Sequence, residues 1–283
     1  MQPAIFLINL DRASERLARV QRQADRIGFT FERIRAVEGR NIPRWLEPEF
    51  SASKRLNDGE VGCYASHLVV ASHIIGRSID YAVVLEDDAE IDENFLSIIS
   101  SAVDNAGPQW DYIHLSSRFR KSVIKVAQFG EYALVRYTEN PINATAYILS
   151  HRGARKWLAP MARTRPIDED NRLAWHLGLK TYGVYPALVT PSKDLRSQIS
   201  DVDGGRGRRA PKLRPDQLWL RLRSRIWTSS EIGLLNYAIG CSLNVVNSVR
   251  KRIDGVPRAA VVRASATKWH TNQELGCFRD FAS

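Results

Sequence analysis

The first ninety residues contain apolar runs that suit buried strands and, between them, apolar residues that recur at helical spacing. The predicted elements are, in chain order, a strand at residues 5–10, a helix at Ser14–Ile27 that Gly28 ends, a strand at residues 31–37, an apolar helix that reaches residue 75 and a strand at residues 83–85. This order predicts an α/β fold with a mainly parallel central sheet.

The pattern continues more weakly after residue 100. It predicts strands at residues 110–115 and 145–149 and helices at residues 153–161 and 171–179. Residues 191–215 are rich in Gly, Arg and Ser, which is typical of a loop or linker. We therefore expect residues 1–200 to form an α/β domain and residues 201–283 to form a basic, helical C-terminal extension.

Three consecutive acids follow the apolar strand at residues 83–85. Because side chains alternate along a strand, Glu86 and Asp88 should face one way and Asp87 the other. Clustered carboxylates repel, and hard oxygen ligands suit Mg²⁺ or Mn²⁺, which proteins often share with substrate phosphates. The cluster therefore predicts a metal that holds a diphosphate, and a solvated acidic turn is the open alternative.

The net charge of +10 is concentrated near the C-terminus. Residues 201–283 hold 15 Lys and Arg against seven Asp and Glu, whereas the first 200 residues hold 26 against 24. A basic segment of this kind suits anionic lipid, nucleic acid or a phosphorylated glycolipid.

Residues 215–253 combine aromatic, basic and apolar side chains. Trp219 and Trp227 lie among arginines, and residues 232–249 carry no charge, but several Asn and Ser residues make burial in hydrocarbon costly. Two interpretations stay open: a helix in the headgroup layer of an anionic membrane, or an ordinary helical subdomain. Nucleic acid is not an expected partner because the segment lacks a known reading motif.

The cysteines and the N-terminus both favour a cytoplasmic protein. Cys63, Cys241 and Cys277 are odd in number, far apart and without the close pairing of a structural zinc site, which fits a reducing compartment. Charges directly follow the short apolar run at residues 4–10, so we expect no secretory signal.

Three segments together resemble glycosyltransferase family 25, the lipooligosaccharide galactosyltransferases to which the collagen galactosyltransferases are related. They are residues 8–12 (INLDR), residues 59–67 (GEVGCYASH) and residues 84–88 (VLEDD), and they occur in the order and spacing of that family. Three further segments resemble the family more weakly: residues 110–115, 146–150 and 166–169. The resemblance runs from about residue 4 to residue 200 and leaves the basic extension outside.

The resemblance implies a GT-A-like nucleotide-binding fold whose acidic motif holds Mn²⁺ or Mg²⁺ on the diphosphate of a UDP-sugar. The usual Asp-x-Asp is replaced here by Glu86-Asp87-Asp88, so Asp88 is the expected direct metal ligand and Glu86 contacts ribose or a metal-bound water. The implied reaction is inverting transfer of a hexose, galactose in the family, to a bacterial surface glycolipid or oligosaccharide. The rival is a silent member that acts as a carbohydrate- or membrane-binding scaffold.

Inversion requires a base, and the acids after Pro166 are the candidates. We expect Asp168 or Glu169 to take the acceptor proton, with a pKa lowered by the start of the helix predicted at residues 171–179, and a helix cap is the alternative role.

Several other residues are expected around the donor. By analogy with nucleotide-binding sheets, Asn9, Asp11 and Arg12 are expected beside the base and ribose. Asp87 is also expected beside the donor. Further expected contacts come from the following helix, namely Gly62, Ser66 and His67. For His67 a structural role stays open, and Arg16 is expected to be a solvated helix-start charge.

Overall fold

The computed structural model describes residues 2–51, 56–116, 121–192, 215–254 and 261–263. The strands are β1 (Ala4–Asn9), β2 (Glu32–Arg35), β3 (Tyr81–Glu86), β4 (Ala89–Ile91), β5 (Tyr112–His114), β6 (Val123–Phe129), β7 (Tyr132–Tyr137), β8 (Ala146–Ser150), β9 (Thr181–Tyr185), β10 (Val189–Pro191) and β11 (Val261–Arg263). The helices are α1 (Ser14–Ile27), α2 (Glu47–Phe50), α3 (Asp58–Gly76), α4 (Phe95–Asn105), α5 (His151–Trp157), α6 (Ile167–Arg172), α7 (Pro215–Ile232) and α8 (Leu234–Asp254), with 3-10 turns at Arg44–Leu46 and Ala174–His176.

Nine of the described strands form one sheet in the order β11-β6-β7-β9-β5-β8-β3-β1-β2. Strand β1 lies parallel to β2 and β3, but β8 returns antiparallel between β3 and β5, and β7 returns antiparallel between β6 and β9. The prediction of a mainly parallel sheet is therefore wrong, and the sheet is mixed. A connection that leads straight back along the neighbouring strand, as in the β6–β7 hairpin, gives antiparallel pairing.

The sheet is covered on both faces, as the continuous apolar strands require. Along β1 and β3, alternate residues pack into two separate cores. Leu7 and Leu85 face α1 and α4, whereas Phe6 and Val84 face α3 and α5. The crossover helix α3 thereby brings its first turns to the carboxyl ends of β1 and β3.

The predicted elements agree with the structure where the pattern is local. Helix α1 spans Ser14–Ile27 and ends at Gly28, whose φ of 86° is left-handed. The helix predicted at residues 171–179 is wrong: α6 covers Ile167–Arg172, and the chain then breaks at Leu173 before a short 3-10 turn. Its acids therefore lie inside the first turn of the helix and not before it.

The basic segment packs back onto the sheet. The side chain of Asn244 on α8 accepts a hydrogen bond from the Ser122 backbone N–H at 2.6 Å and donates to the Thr138 hydroxyl at 3.2 Å. Strand β11 pairs in parallel with β6 at the sheet edge. Among the described residues, no helix is both long and apolar enough to cross a membrane. The linker predicted at residues 191–215 lies mostly outside the described residues.

Candidate functional site

The acidic strand end and the end of β1 lie at the same edge of the sheet. Strands β1 and β3 run in parallel, with Ile8 opposite Glu86, so Asn9 and the acids that follow β3 emerge side by side. Helix α3 starts at this edge with a capping box in which Asn57 and Glu60 each accept the other's backbone N–H. The edge is the position where open α/β sheets bind ligands.

Asp87 is held by two donors. The Asn9 amide donates to Asp87 Oδ2 at 2.8 Å, and the Arg16 guanidinium donates to Oδ1 at 3.0 Å. Arg16 is only 14% exposed, so the expectation of a solvated charge is wrong. The half-buried carboxylate of Asp87 requires a cationic partner, and Arg16 provides it. Asn9 also accepts a hydrogen bond from Arg33 Nε and is itself buried.

Glu86 is the end of a hydrogen-bonded chain from the protein interior. Its Oε1 lies 3.2 Å from His67 Nε2, and His67 Nδ1 lies 2.7 Å from the Tyr147 hydroxyl. A carboxylate only accepts hydrogen bonds, so we assign the His67 ring proton to Nε2, which donates to Glu86. The Tyr147 hydroxyl then donates a hydrogen bond to the unprotonated Nδ1. Burial raises the pKa of Tyr147 far above its usual range, which keeps it a donor. The Cys63 thiol also lies 3.9 Å from Glu86 Oε1.

Asp88 carries the least compensated charge of the cluster. Its Oδ1 is buried and has no hydrogen-bond partner among the described residues. Burial, reinforced by the charges of Glu86 and Asp87, raises the pKa of Asp88 to about 7. The Asp88 carbonyl accepts from the Ser192 N–H at 2.8 Å, which fixes the turn. An unpaired carboxylate beside a second one is a donor set that a hard divalent cation fits.

Asp168 and Glu169 lie in the first turn of α6, and burial raises the pKa of both. The predicted lowering is therefore wrong, because desolvation and neighbouring acids outweigh the partial charge of a six-residue helix. The charge of Glu86 contributes to the shift at Asp168. Neither acid is the N-cap residue, which is Pro166 and offers no side-chain cap, but Asp168 Oδ1 accepts the Glu169 backbone N–H at 2.9 Å within the first turn.

A buried arginine that the sequence analysis missed holds α6 against α3. Arg163 is fully buried and donates to Glu49 at 2.7 Å, to the Tyr64 hydroxyl at 2.9 Å and to the Trp157 carbonyl at 2.7 Å. Tyr64 in turn donates to Asp170 at 2.9 Å, so a continuous network connects the two helices. Arg163 stands between Ala162 and Thr164, close to a second arginine, Arg165, and nothing in this stretch of sequence indicates that Arg163 is buried.

Asp11 and Arg12 lie at the exposed rim of the edge. Asp11 accepts a hydrogen bond from Arg33 at 2.6 Å and forms an ion pair with Arg35 at 2.7 Å, and the hydrogen bond from Arg33 lowers the pKa of Asp11. Arg12 pairs with Glu38 at 3.0 Å. Both side chains remain accessible to a bound molecule.

Gly62 and Ser66 both serve the packing of α3, and their expected place beside the donor stays a prediction. A Cβ at Gly62 would lie 2.4 Å from the Val37 carbonyl oxygen, so only glycine allows this close approach. The Ser66 hydroxyl accepts from the Val37 N–H at 2.8 Å and donates to the Gly62 carbonyl at 2.7 Å. The hydroxyl is thus committed to the fold, whereas His67 one residue on reaches Glu86.

His114 on β5 is a buried histidine away from these acids. Neither ring nitrogen has a hydrogen-bond partner among the described residues, and burial lowers the pKa of His114 to about 3. The unfolded chain therefore binds the extra proton as the pH falls below about 6.5. The stability that this neutral ring contributes is complete above that pH and is lost as the pH falls toward 3.

The exchange His114→Phe should reduce the acid sensitivity of folding. Between pH 7.5 and pH 5 we expect the free energy of unfolding of the wild type to fall by about 2 kcal/mol more than that of the variant. Urea unfolding at the two pH values measures the difference, and His151→Phe, at a partly exposed histidine, is the matched control. Equal losses in wild type and His114→Phe would contradict the account.

Comparison with known proteins identifies the family. The model of glycosyltransferase family 25 (LPS biosynthesis protein) matches residues 2–171. The chain is 27% identical over 219 residues to the probable inactive glycosyltransferase 25 family member 3 of Rattus norvegicus, covering 66% of this chain and 38% of the relative. It is 26% identical over 189 residues to procollagen galactosyltransferase 2 of Homo sapiens, covering 58% and 29%.

The chain thus spans less than two fifths of the length of these curated relatives. Among solved structures, a glycosyltransferase involved in the glycosylation of the major capsid of PBCV-1 has 13% identity and a TM-score of 0.38, covering 71% of this chain and all of that one. This likeness is too distant to bear on function. The family model, in contrast, covers more than half of the chain and includes β1, the start of α3, Glu86 to Asp88 and Asp168. The chain belongs to glycosyltransferase family 25.

Proposed function

We propose that the protein is a metal-dependent inverting hexosyltransferase that moves galactose from a UDP-sugar to a bacterial surface glycolipid or oligosaccharide. Membership of the family supports the reaction class. The single observation that carries the proposal is the buried, unpartnered oxygen of Asp88 beside Glu86 at the ligand edge of the sheet. In a GT-A-like fold this is where the donor diphosphate would bind.

Asp88 and Glu86 would hold Mn²⁺ or Mg²⁺. The chemistry of the donor set fits, because both residues offer carboxylate oxygens and Asp88 lacks any other partner for its Oδ1 among the described residues. When bound, the ion would neutralise negative charge that develops on the departing diphosphate. Asn9 and Arg16 keep Asp87 turned to the β1 side of the edge, away from this pair. Asp11 and Arg12 would contact the base and ribose from the rim.

We assign the base to Asp168. Its carboxylate interacts electrostatically with that of Glu86 and contributes to the raised pKa of the Cys63 thiol, which supports a position near the end of β3. Burial raises the pKa of Asp168, and a base works best when its pKa lies nearer the working pH. The Glu169 N–H donates to Asp168 Oδ1 at 2.9 Å and holds that carboxylate in place. The other oxygen would accept the proton of the acceptor hydroxyl.

The comparison of Asp168→Ala with Glu169→Ala tests this assignment. We expect turnover to fall by about 10²- to 10⁴-fold in Asp168→Ala and by less than about tenfold in Glu169→Ala, since only the first loses the base. Thermal midpoints should stay close to the wild-type value in both, because neither acid is the N-cap of α6 and the Glu169 N–H that Asp168 accepts also donates to the Pro166 carbonyl at 3.1 Å. A normal turnover in Asp168→Ala, or a midpoint that falls with turnover, would overturn the role.

The basic helix α7 lies beside the 3-10 turn at Ala174–His176 that follows α6. The guanidinium group of Arg223 lies 5.0 Å from the ring of Trp175, which follows α6, and 5.7 Å from that of Trp219. Trp219, Leu222 and Ile226 are exposed at helical spacing. Arg221 and Arg225 are also exposed. We propose that this surface contacts the anionic cytoplasmic face of a membrane, where a lipid-linked acceptor would be available.

Charge reversal on α7 should strongly weaken membrane binding. We expect Arg221→Glu with Arg225→Glu to weaken binding to phosphatidylglycerol vesicles about 30-fold or more, at about 1 kcal/mol for each lost arginine. Vesicle co-sedimentation at low salt measures this, and Arg22→Glu with Arg26→Glu on α1 is the matched control. Equal weakening by the control pair, or binding to duplex DNA in preference to vesicles, would contradict the proposal that this surface of α7 binds an anionic membrane.

A transfer assay tests the function itself. The full chain is incubated with Mn²⁺, a lipooligosaccharide acceptor and each of several nucleotide sugars, with and without a chelator. We expect transfer from UDP-galactose that chelation stops. An absence of transfer or hydrolysis with every donor would refute the proposal.

A catalytically silent scaffold is the second candidate, and the relatives named inactive favour it. The unpartnered Oδ1 of Asp88 and the raised pKa that burial gives Asp168 oppose it, since burial of a carboxylate costs free energy and brings no benefit to a site without chemistry. Metal titration separates the two, because a silent scaffold has no requirement for a metal at the acidic edge.

A further inference from the structure

Three different metal-binding side chains converge beside the acidic strand end. Cys63 Sγ, His67 Nε2 and Glu86 Oε1 all lie within 4.8 Å of one another. Cys63 and His67 are four residues apart on α3 and therefore share one face of the helix, which is turned to the end of β3. A thiol, an imidazole and a carboxylate together form a donor set that borderline-soft cations prefer.

We propose that Cys63, His67 and Glu86 form a binding site for a thiophilic divalent cation such as Zn²⁺ or Co²⁺. Tetrahedral zinc with bonds of about 2.0 Å to nitrogen and oxygen would separate those two donors by about 3.3 Å. His67 Nε2 and Glu86 Oε1 are already 3.2 Å apart, and Cys63 Sγ lies 3.9 Å from the same oxygen. Small side-chain movements therefore close the site around an ion.

The surroundings favour a cation. Burial, and then the charges of Glu86, Asp168, Asp88 and Glu60, raise the pKa of the Cys63 thiol well above its usual range, and a bound cation would offset these negative charges. His67 and Tyr147 lie in the core, whereas Cys63 and Glu86 are partly exposed and leave a path from solvent. The fourth coordination position would then face solvent and remain open to water.

The hydrogen bond to Tyr147 supplies the support that a ligating histidine usually has. The Tyr147 hydroxyl lies 2.7 Å from His67 Nδ1 and fixes the ring plane. On binding, the Cys63 thiol releases its proton to solvent. The His67 proton leaves Nε2 and one proton is taken up at Nδ1, while the Tyr147 hydroxyl keeps its own proton and turns from donor to acceptor of the Nδ1–H. The imidazole stays neutral, and Nε2 becomes the ligand.

This site is distinct in chemistry from the proposed donor-metal site, although both use Glu86. Asp88 and Glu86 offer only oxygen and suit Mn²⁺ or Mg²⁺, whereas the sulfur of Cys63 selects against those hard ions. Occupancy by Zn²⁺ would withdraw Glu86 from the donor, a consequence that rests on the proposed function. Binding itself does not depend on whether the chain transfers sugar.

Cobalt spectroscopy of the full chain tests the site. The reduced protein is stripped of metal and titrated with Co²⁺, without donor or acceptor. We expect a near-ultraviolet sulfur-to-cobalt charge-transfer band that saturates at one ion per chain and is displaced by Zn²⁺. Cys63→Ser should lose the band, and His67→Gln should weaken Co²⁺ binding by about 10- to 100-fold.

Cys241→Ser is the matched control because Cys241 is also a free, partly exposed cysteine, and it should keep the full band. Circular dichroism of each variant verifies folding. A wild-type titration without the band, a band that persists in Cys63→Ser, or a band lost in Cys241→Ser would overturn the proposal. Because no turnover is measured, failure of sugar transfer leaves this result unaffected, and loss of the band does not bear on transfer.

Discussion

Replacement of Asp88 by asparagine is expected to reduce sugar transfer by at least about 100-fold while leaving the fold intact. The exchange removes the negative charge from the oxygen that has no hydrogen-bond partner among the described residues. Because that charge is buried beside Glu86 and Asp87, its removal relieves repulsion. In the absence of metal, the thermal midpoint of the variant should equal or exceed that of the wild type.

Turnover with the donor found in the transfer assay and the midpoint by differential scanning fluorimetry are measured on the same preparations. Glu93→Gln, an exposed acid five residues further along the chain, is the matched control and should change neither quantity. Full activity in Asp88→Asn would contradict the proposal that Asp88 is a metal ligand. A midpoint well below the wild-type value would instead assign Asp88 to the fold.

The exchange Arg163→Met is expected to cause the largest loss of stability. Methionine matches the length of the arginine stem but leaves the Glu49 carboxylate, the Tyr64 hydroxyl and the Trp157 carbonyl without their donor. Removal of one partner of a buried ion pair costs about 3–5 kcal/mol, which lowers the midpoint by about 10 °C in a chain of this size. Turnover should fall as well, because the same network holds α6 and its acids.

An exposed ion pair provides the comparison. Arg77 makes two hydrogen bonds to Glu32, at 2.6 and 2.8 Å, but both side chains are nearly half exposed. Arg77→Met should therefore cause a much smaller loss of stability than Arg163→Met. Urea unfolding of the two variants measures the contrast. Similar losses in both would contradict the role assigned to burial.

Local patterns in the sequence predicted local structure well. Helix α1 follows from apolar spacing and a left-handed glycine, both of which act within a few residues. The directions of β7 and β8 could not be predicted in the same way, because they depend on pairing between residues far apart in the chain. The course of β8 between β3 and β5 changes a parallel arrangement into a mixed one without altering any local pattern.

The candidate site likewise has features that local sequence predicts and features that depend on long-range packing. The convergence of Asn9 and Glu86 at one edge was predictable, because the carboxyl ends of neighbouring parallel strands meet there. The pairing of Arg16 with Asp87 and the raised pKa of Asp168 depend on burial, which charge patterns do not reveal. Cys63 and His67 stand one helical turn apart in the sequence, and that spacing could have indicated their pairing before the structure placed Glu86 beside them.

The affinity of UDP for the full chain, measured calorimetrically with and without Mn²⁺, tests the central claim most directly. If the carboxylates at the end of β3 hold an ion that binds the donor diphosphate, UDP should bind in the presence of Mn²⁺ and lose measurable affinity after chelation. Asp88→Asn should then bind UDP no better with Mn²⁺ than without it. Equal affinity of the wild type under both conditions would contradict the account.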